Sequence, residues 1–308
     1  MNMEPERTLQ AATLAVDWGS TNRRVFVLAA DGTALETAQD DRGILAMGGS
    51  GFAAEAAAMR ARWGNLPMLC AGMVGSNRGW IDAGYVAAPA SLAEIAAKVH
   101  WVEPGRTAIV PGVSRGANGA GDGRADIMRG EEVQLLGAAA AGLVTPDAWL
   151  CQPGTHAKWA RLQGGHLVDF TTAMTGEIFA QLGRGGLLAD GLDGEVHDGA
   201  AFREGVQAAR GGDLLASLFG ARAAMVLGKR GRADQASYVS GLLIGSDCDA
   251  RLASDFAPAR ADGVDVLASP ALGGLYLAAL AELGCTARLV DSHAAFLAGI
   301  TQIWSLLQ

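Results

Sequence analysis

Asp17-Trp18-Gly19-Ser20-Thr21-Asn22 places a carboxylate, two hydroxyls, an amide and a glycine within six residues, directly after the apolar run 13–16. A turn of this composition lets backbone N–H groups and hydroxyls approach phosphate oxygens closely. Asp17, at the end of the run, is suited to orient a magnesium ion through water, because Mg²⁺ keeps several waters and takes one or two carboxylates. A plain hairpin turn would look similar. A second turn of related chemistry, Pro153-Gly154-Thr155-His156, follows the apolar run 148–152. A lone Gly-Thr pair is common, but two such turns at equivalent places in the two halves could grip phosphates. A P-loop is excluded, since no G-x-x-x-x-G-K-[ST] occurs.

Three further clusters carry candidate groups. Asp126 precedes an expected helix and is followed by Arg129, Gly130, Glu131 and Glu132. Phosphoryl transfer to an alcohol needs a carboxylate that accepts the hydroxyl proton. An acidic cluster that merely complements a helix dipole reads the same way locally. The stretch 72–80 holds Ser76, Asn77 and Arg78, and a guanidinium there can clasp a carboxylate bidentately. Ser269-Pro270-Ala271-Leu272-Gly273-Gly274 follows a strand and opens a helix, so its glycines could admit an adenine or ribose beside the backbone. Of the histidines, only His156 lies near a candidate phosphate turn.

The elements that must position these groups repeat. Residues 13–16, 24–28 and 34–39 read as strands, with Asp31-Gly32 as a hairpin signal. A helix over 52–63, a buried strand over 67–73, a helix over 91–99 capped by Ser91 and a strand over 107–110 follow. Residues 112–123 read as a loop and 130–141 as a helix. The second half opens alike: strands over 148–152, 158–162 and 167–171, with a Gly164-Gly165 hairpin signal between the last two. Helices over 175–182, 214–227 and 235–243, a strand over 264–268, a helix over 272–283, a strand over 287–290 and a last helix over 292–307 complete the pattern. A strand-turn-strand opening repeated in two α/β halves indicates related domains flanking a cleft. The boundary is expected near 145, giving domains over 1–145 and 146–308, with the last helix packing back on the first.

Bulk properties narrow the class. The 308 residues suit two domains. Half are hydrophobic and 18% are charged, enough apolar material for a core. The net charge of −8 argues against a nucleic-acid or anionic-membrane partner. Cys70, Cys151, Cys248 and Cys285 lie far apart, without zinc spacing, and read as buried thiols. No signal-peptide core and no run of about 18 apolar residues is present, so the cytoplasm is the default compartment. A homodimer is left open.

At these residues the chain resembles the superfamily of kinases and ATPases built like actin, the heat-shock chaperone ATPases and hexokinase. Residues 16–22 resemble its first phosphate motif, 152–156 its second, 126–131 the segment that carries the catalytic base, and 266–274 the adenosine motif. It is more specifically similar to the 2-dehydro-3-deoxygalactonokinase family, through residues 17–22, 72–76, 128–132, 153–159 and Met174-Thr175-Gly176-Glu177. The resemblance implies two actin-like (ribonuclease H-like) domains around a nucleotide cleft, and transfer of the γ-phosphoryl group of ATP, with Mg²⁺, to the 6-hydroxyl of 2-dehydro-3-deoxy-D-galactonate in galactonate breakdown. In that scheme Asp126 is the base and Asp17 positions Mg²⁺. Gly19, Ser20, Thr21, Asn22, Gly154 and Thr155 hold phosphates, and Ser269 and Gly273 meet the adenosine. Ser76, Asn77, Arg78 and Arg129 hold the sugar acid. The rival expectations are a kinase of another sugar or sugar acid, and a non-enzymatic actin-like ATP switch.

Overall fold

The apolar run that ends at Asp17 becomes β1 (Ala11–Trp18) in the computed structural model, which describes residues 10–115, 123–254 and 256–308. Leu14, Val16 and Trp18 on one face and Thr13 and Ala15 on the other are all buried, as befits a strand covered on both faces. The described chain divides into two units. The first holds the chain up to Leu143 together with residues 165–167 and 293–308; the second holds 144–164 and 168–292.

In the first unit β1 pairs antiparallel with β2 (Arg23–Ala29), and β2 with β3 (Ala34–Asp40). Gly32, at φ 86°, makes the tight turn that Asp31-Gly32 announces. Helix α1 (Phe52–Trp63) leads to β4 (Met68–Ala71), which lies parallel to β1. Then come β5 (Tyr85–Ala87), α2 (Leu92–Ala96), β6 (His100–Glu103), β7 (Thr107–Ile109), β8 (Gly112–Ser114), β9 (Ile127–Met128) and α3 (Glu131–Ala140). Ser91 caps α2 in a reciprocal capping box with Glu94. The large sheet runs β3-β2-β1-β4-β7-β6, and a small one runs β5-β8-β9. The C-terminal helix, Ser292–Leu306, crosses α3 backbone to backbone: a Cβ on Gly137 would lie 2.1 Å from the Ala295 carbonyl oxygen, and one on Gly299 2.1 Å from that of Val133.

The second unit repeats the plan. β10 (Ala148–Gln152) pairs antiparallel with β11 (Ala157–Gln163), and β12 (His166–Ala173) follows. Helices α4 (Thr175–Arg184), α5 (Ala200–Ala209), α6 (Leu214–Val226), α7 (Arg232–Leu252) and α8 (Ala259–Asp262) lead to β13 (Val264–Ala268), α9 (Pro270–Glu282) and β14 (Ala287–Asp291). The sheet order is β12-β11-β10-β13-β14, with β10, β13 and β14 parallel. Both sheets thus order their first four strands third, second, first, fourth, with the second antiparallel and the fourth parallel to the first; the larger sheet continues with β7 parallel to β4 and β6 antiparallel at its edge. That repeated α/β plan fits the two actin-like domains expected from the sequence. Its core here is Cys151, Trp159, Phe202, Val266 and Tyr276 between the sheet and α5, α7 and α9.

Three expectations need correction. The helix expected over 235–243 is 21 residues long, and α5 was not anticipated. Gly241 and Gly245 look like helix breakers, yet they allow α7 to touch α5: a Cβ on Gly241 would sit 2.0 Å from the Phe202 carbonyl oxygen, and one on Gly245 2.7 Å from Val206 Cα. The loop expected over 112–123 begins as strand β8; residues 116–122 lie outside the described residues. No helix among the described residues is long and apolar enough to cross a membrane.

Candidate active site

Trp18 anchors the turn over residues 19–22, the first candidate phosphate turn. Its ring is buried edge-on against Phe52 at 5.6 Å, and its indole N–H donates to the Arg42 carbonyl at 2.8 Å. The turn's own carbonyls are tied inward: Gly19 N–H donates to the Asn22 carbonyl, while the carbonyls of Gly19, Ser20 and Thr21 accept from Ile44, Leu45 and Gly43. Ser20, Thr21 and Asn22 are left exposed, and the Asn22 amide donates to the Thr21 hydroxyl at 3.2 Å. The turn borders a cavity of about 160 Å³ that Asp17, Arg24 and Gln39 also line.

Three segments far apart in sequence then meet on glycines. A Cβ on Gly72, which has φ 94°, would lie 2.9 Å from the Trp18 carbonyl oxygen and 3.5 Å from Asp17 Oδ1. A Cβ on Gly130, at φ 101°, would lie 3.1 Å from Gly72 Cα. The first phosphate turn, the 72–79 loop and the start of α3 are therefore stacked backbone on backbone, and only glycine permits it. Asp17 lies partly buried here, 3.8 Å from the Arg24 guanidinium. Burial pushes its carboxyl up to about 6; the Arg24 charge opposes this and nearby Glu131 reinforces it. A carboxylate short of solvation is a ready partner for a hydrated cation.

Asp126 directly precedes the short strand β9, which leads into α3. Its Oδ1 accepts from the Ile127 N–H at 2.8 Å, and its carbonyl accepts from Arg115. Three residues on, Arg129 is buried and its guanidinium lies on the Tyr85 ring, 4.5 Å from the centroid. Nη2 donates to the Gly84 carbonyl at 3.1 Å and lies 3.6 Å from Asp82. Its Nε and Nη1 are buried without a hydrogen-bond partner among the described residues. Gly75 makes room for it, since a Cβ there would meet Nη1 at 2.9 Å; Gly112 likewise makes room for the Tyr85 ring. Buried guanidinium N–H groups without acceptors are costly unless an anion completes them.

The 72–80 loop divides its candidates. The Ser76 hydroxyl donates to the Met73 carbonyl at 2.7 Å and accepts from the Arg78 N–H, so it shapes the turn itself. Asn77 and Arg78 are exposed.

In the second unit, Gly154 and Thr155 form the turn between β10 and β11, and α4 is laid directly on it. The Glu177 N–H donates to the Thr155 carbonyl at 2.9 Å, and the Glu177 carboxylate meets His156 Nε2 at 2.6 Å. Gly176 permits the approach, because a Cβ there would lie 2.5 Å from the Gly154 carbonyl oxygen. The first turn of α4 thus brings its N-terminal dipole end to the turn. Beside it opens a cavity of about 180 Å³, lined by Gly154, Thr175, Phe179, Leu243, Leu272 and Tyr276 among others, and almost wholly apolar.

Ser269 and Gly273, expected at the adenosine, do not line that cavity. Ser269 begins α9 as an exposed cap, and Gly273 is buried against β14, where a Cβ would meet Leu289 Cδ1 at 2.3 Å. Leu272, Leu275 and Tyr276 of the same helix line it instead.

The 2-keto-3-deoxy-galactonokinase family model matches residues 17–303. The chain is 36% identical over 311 residues to a protein of Rhizobium meliloti named "probable 2-dehydro-3-deoxygalactonokinase", covering 95% of this chain and 97% of that one. It is 34% identical over 300 residues to the 2-dehydro-3-deoxygalactonokinase of Escherichia coli, covering 96% and 98%. A crystal structure from Sinorhizobium meliloti, described as the same kind of kinase, superposes with a TM-score of 0.85 at 34% identity, over 94% of this chain and 97% of that one.

Proposed function

The chain belongs to the 2-keto-3-deoxy-galactonokinase family and is a phosphotransferase with an alcohol acceptor, and we propose that it transfers the γ-phosphoryl group of ATP to the 6-hydroxyl of 2-dehydro-3-deoxy-D-galactonate in galactonate catabolism. The observation that carries this reading is the duplicated turn. Gly19–Asn22 and Gly154–His156 each join the first and second strands of a sheet, and the two sheets share the order of their first four strands. Each turn is pinned from behind, the first by Gly43–Leu45 and the second by α4.

The residues present fit a nucleotide. The apolar cavity beside Gly154 has the scale and character of a site for one heterocyclic base. The turns offer hydroxyls, backbone N–H groups and a helix N-terminus to phosphates. They also fit Mg²⁺, because Asp17 is a poorly solvated carboxylate at the first turn. Bound ATP supplies the phosphoryl group, and Mg²⁺ neutralises charge on its phosphate oxygens.

The chain's own contributions follow from placement. Asp126 takes the proton of the attacking hydroxyl. Arg129 offers its two unpaired, buried N–H positions to the sugar-acid carboxylate, in a site that holds its plane rigid against Tyr85. Exposed Asn77 and Arg78 add polar contacts from the 72–80 loop. Ser20, Thr21 and Thr155 bind phosphate oxygens.

ADP release measured with 2-dehydro-3-deoxy-D-galactonate, its gluconate epimer, other sugar acids and neutral sugars tests the proposal. Release stimulated by the galactonate derivative, with phosphorus NMR placing the phosphate on C6, is the expected result. Preference for a neutral sugar would overturn the acceptor, and no stimulation by any hydroxylated compound would overturn the reaction.

A further inference from the structure

Asp247, in the middle of α7, is a buried acid that the roles above leave unused. Neighbouring Leu243, Ile244 and Cys248 on the same side of the helix are core residues. One carboxylate oxygen, Oδ1, accepts from the Trp159 indole N–H at 3.0 Å. The other, Oδ2, accepts from the Thr175 hydroxyl at 2.9 Å. The Tyr276 hydroxyl and the Arg251 charge lie near and favour its ionised form. One side chain of α7 therefore ties β11 and α4 to that helix.

Its partners are placed where the second phosphate turn is made. Trp159 stands four residues beyond Thr155 on β11, opposite Cys151 of β10, so it fixes the outgoing leg of the turn. Thr175 is the first residue of α4. The next residue, Gly176, rests on the Gly154 carbonyl, and Glu177 holds the Thr155 carbonyl. Thr175 and Tyr276 also form part of the wall of the apolar cavity. Pulling Thr175 toward Asp247 sets both the wall of the cavity and the depth at which α4 supports the turn.

We infer that Asp247 is a positioning residue for nucleotide binding, acting through Thr175 to hold the second phosphate turn and the base cavity in register. This rests on the reading of that cavity and turn as the nucleotide site. The Met174-Thr175-Gly176-Glu177 segment thereby gains a physical role: threonine for the bond to Asp247, glycine for the close approach, glutamate for His156.

Steady-state kinetics with the two substrates varied separately, ATP titration calorimetry and thermal melting test the inference on four variants. Thr175→Val keeps the shape and removes the donor. It is expected to raise the KM and Kd for ATP about tenfold, the scale of one lost hydrogen bond to a charged acceptor, with the sugar-acid KM within about twofold. Thr175→Ser is expected to restore ATP affinity, and Asp247→Asn to move it in the same direction as Thr175→Val. A folded Thr175→Val with unchanged ATP affinity overturns the inference, as does an equal change in both KM values. Leu272→Trp, which fills the cavity, separates the two readings. If it weakens ATP while Thr175→Val does not, Asp247 has no positioning role. If Thr175→Val weakens ATP while Leu272→Trp does not, the cavity is not the base site, and Asp247 stands as positioner of the phosphate turn alone.

Discussion

Replacing Glu132 by glutamine isolates one buried carboxyl at the start of α3. Glu132 is fully buried; its Oε1 accepts from the Gly130 N–H at 2.8 Å, and its Oε2 has no partner among the described residues. Burial pushes its carboxyl from 4.5 up to about 8, helped by the Glu131 charge and opposed by the Gly130 bond and by Arg129. Below the unfolded value of 4.5, folded and unfolded chains are both protonated there, so the group has no effect on the balance. Between 4.5 and about 8 the unfolded chain sheds the proton and the folded chain keeps it. Unfolding then gains about 1.4 kcal/mol per pH unit, roughly 5 kcal/mol across the window as an upper bound. Glutamine keeps the Oε1 acceptor and does not titrate. Its amide N–H groups add a pH-independent cost of about 1–3 kcal/mol if left unpaired, so the slope is the test rather than the offset. Urea denaturation from about pH 5 to pH 8.5 is expected to show Glu132→Gln gaining on the wild type by roughly 2–3 kcal/mol between pH 5 and pH 7. Asp17 and Asp247 titrate in both proteins and largely cancel in the difference. Parallel stability curves would refute the reasoning, because they would mean that Glu132 ionises in the folded chain as it does in the unfolded one.

Three other outcomes are expected. Gly176→Ala drives a Cβ to 2.5 Å from the Gly154 carbonyl oxygen and 3.0 Å from Thr155 Cα. Backbone cannot swing aside as a side-chain tip can, so the ATP KM should rise tenfold or more while the protein melts within a few degrees of the wild type; an unchanged ATP KM would separate α4 from the nucleotide. Asp126→Asn should lower kcat by about 10²–10⁴-fold with the ATP Kd within about twofold, and near-normal turnover would remove Asp126 as the base. Carbon NMR of the nucleotide-free protein should show the Asp17 carboxyl titrating near 6 rather than 3.8, and Arg24→Gln should move it higher, since the Arg24 charge lowers it; a midpoint near 3.8 would show Asp17 to be well solvated.

The sequence was most legible where chemistry is written in residue type. The two phosphate turns, the strands that flank them and the Ser91 cap follow from local pattern, because apolar runs, glycine turns and capping boxes depend on neighbours in the chain. Helix α5 and the full length of α7 were not legible. Gly205, Gly241 and Gly245 weaken a helix judged alone, and their use appears only when two helices meet: a Cβ on Gly205 would lie 2.2 Å from the Tyr238 carbonyl oxygen. Glu132 was illegible for a related reason. An acidic residue in the first turn of a helix reads as solvated and dipole-complementing, and nothing local says that α3 begins inside the protein. Asp247 did carry a signal, an acid in phase with Leu243, Ile244 and Cys248, but its donors lie 88 and 72 residues away.

The same distinction explains how the catalytic elements are held. In the first unit, Trp18, Gly72 and Gly130 touch through backbone, and Gly75 leaves the space that Arg129 fills. In the second, Gly176 lies on Gly154. At each contact the decisive feature is a missing Cβ, which carries no chemistry and so names no partner in the sequence. Backbone-on-backbone contact is stiff, since neither side has a rotamer to yield. Phosphoryl transfer depends on positioning more than on any single reactive group, so a scaffold of glycine contacts suits it: the turns proposed to receive phosphates are fixed at their bases, and the hydroxyls of Ser20, Thr21 and Thr155 are exposed. Substitution at Gly72 or Gly176 should accordingly harm turnover out of proportion to the stability it costs, and a variant that lost stability and activity in proportion would show the glycines to be packing residues only.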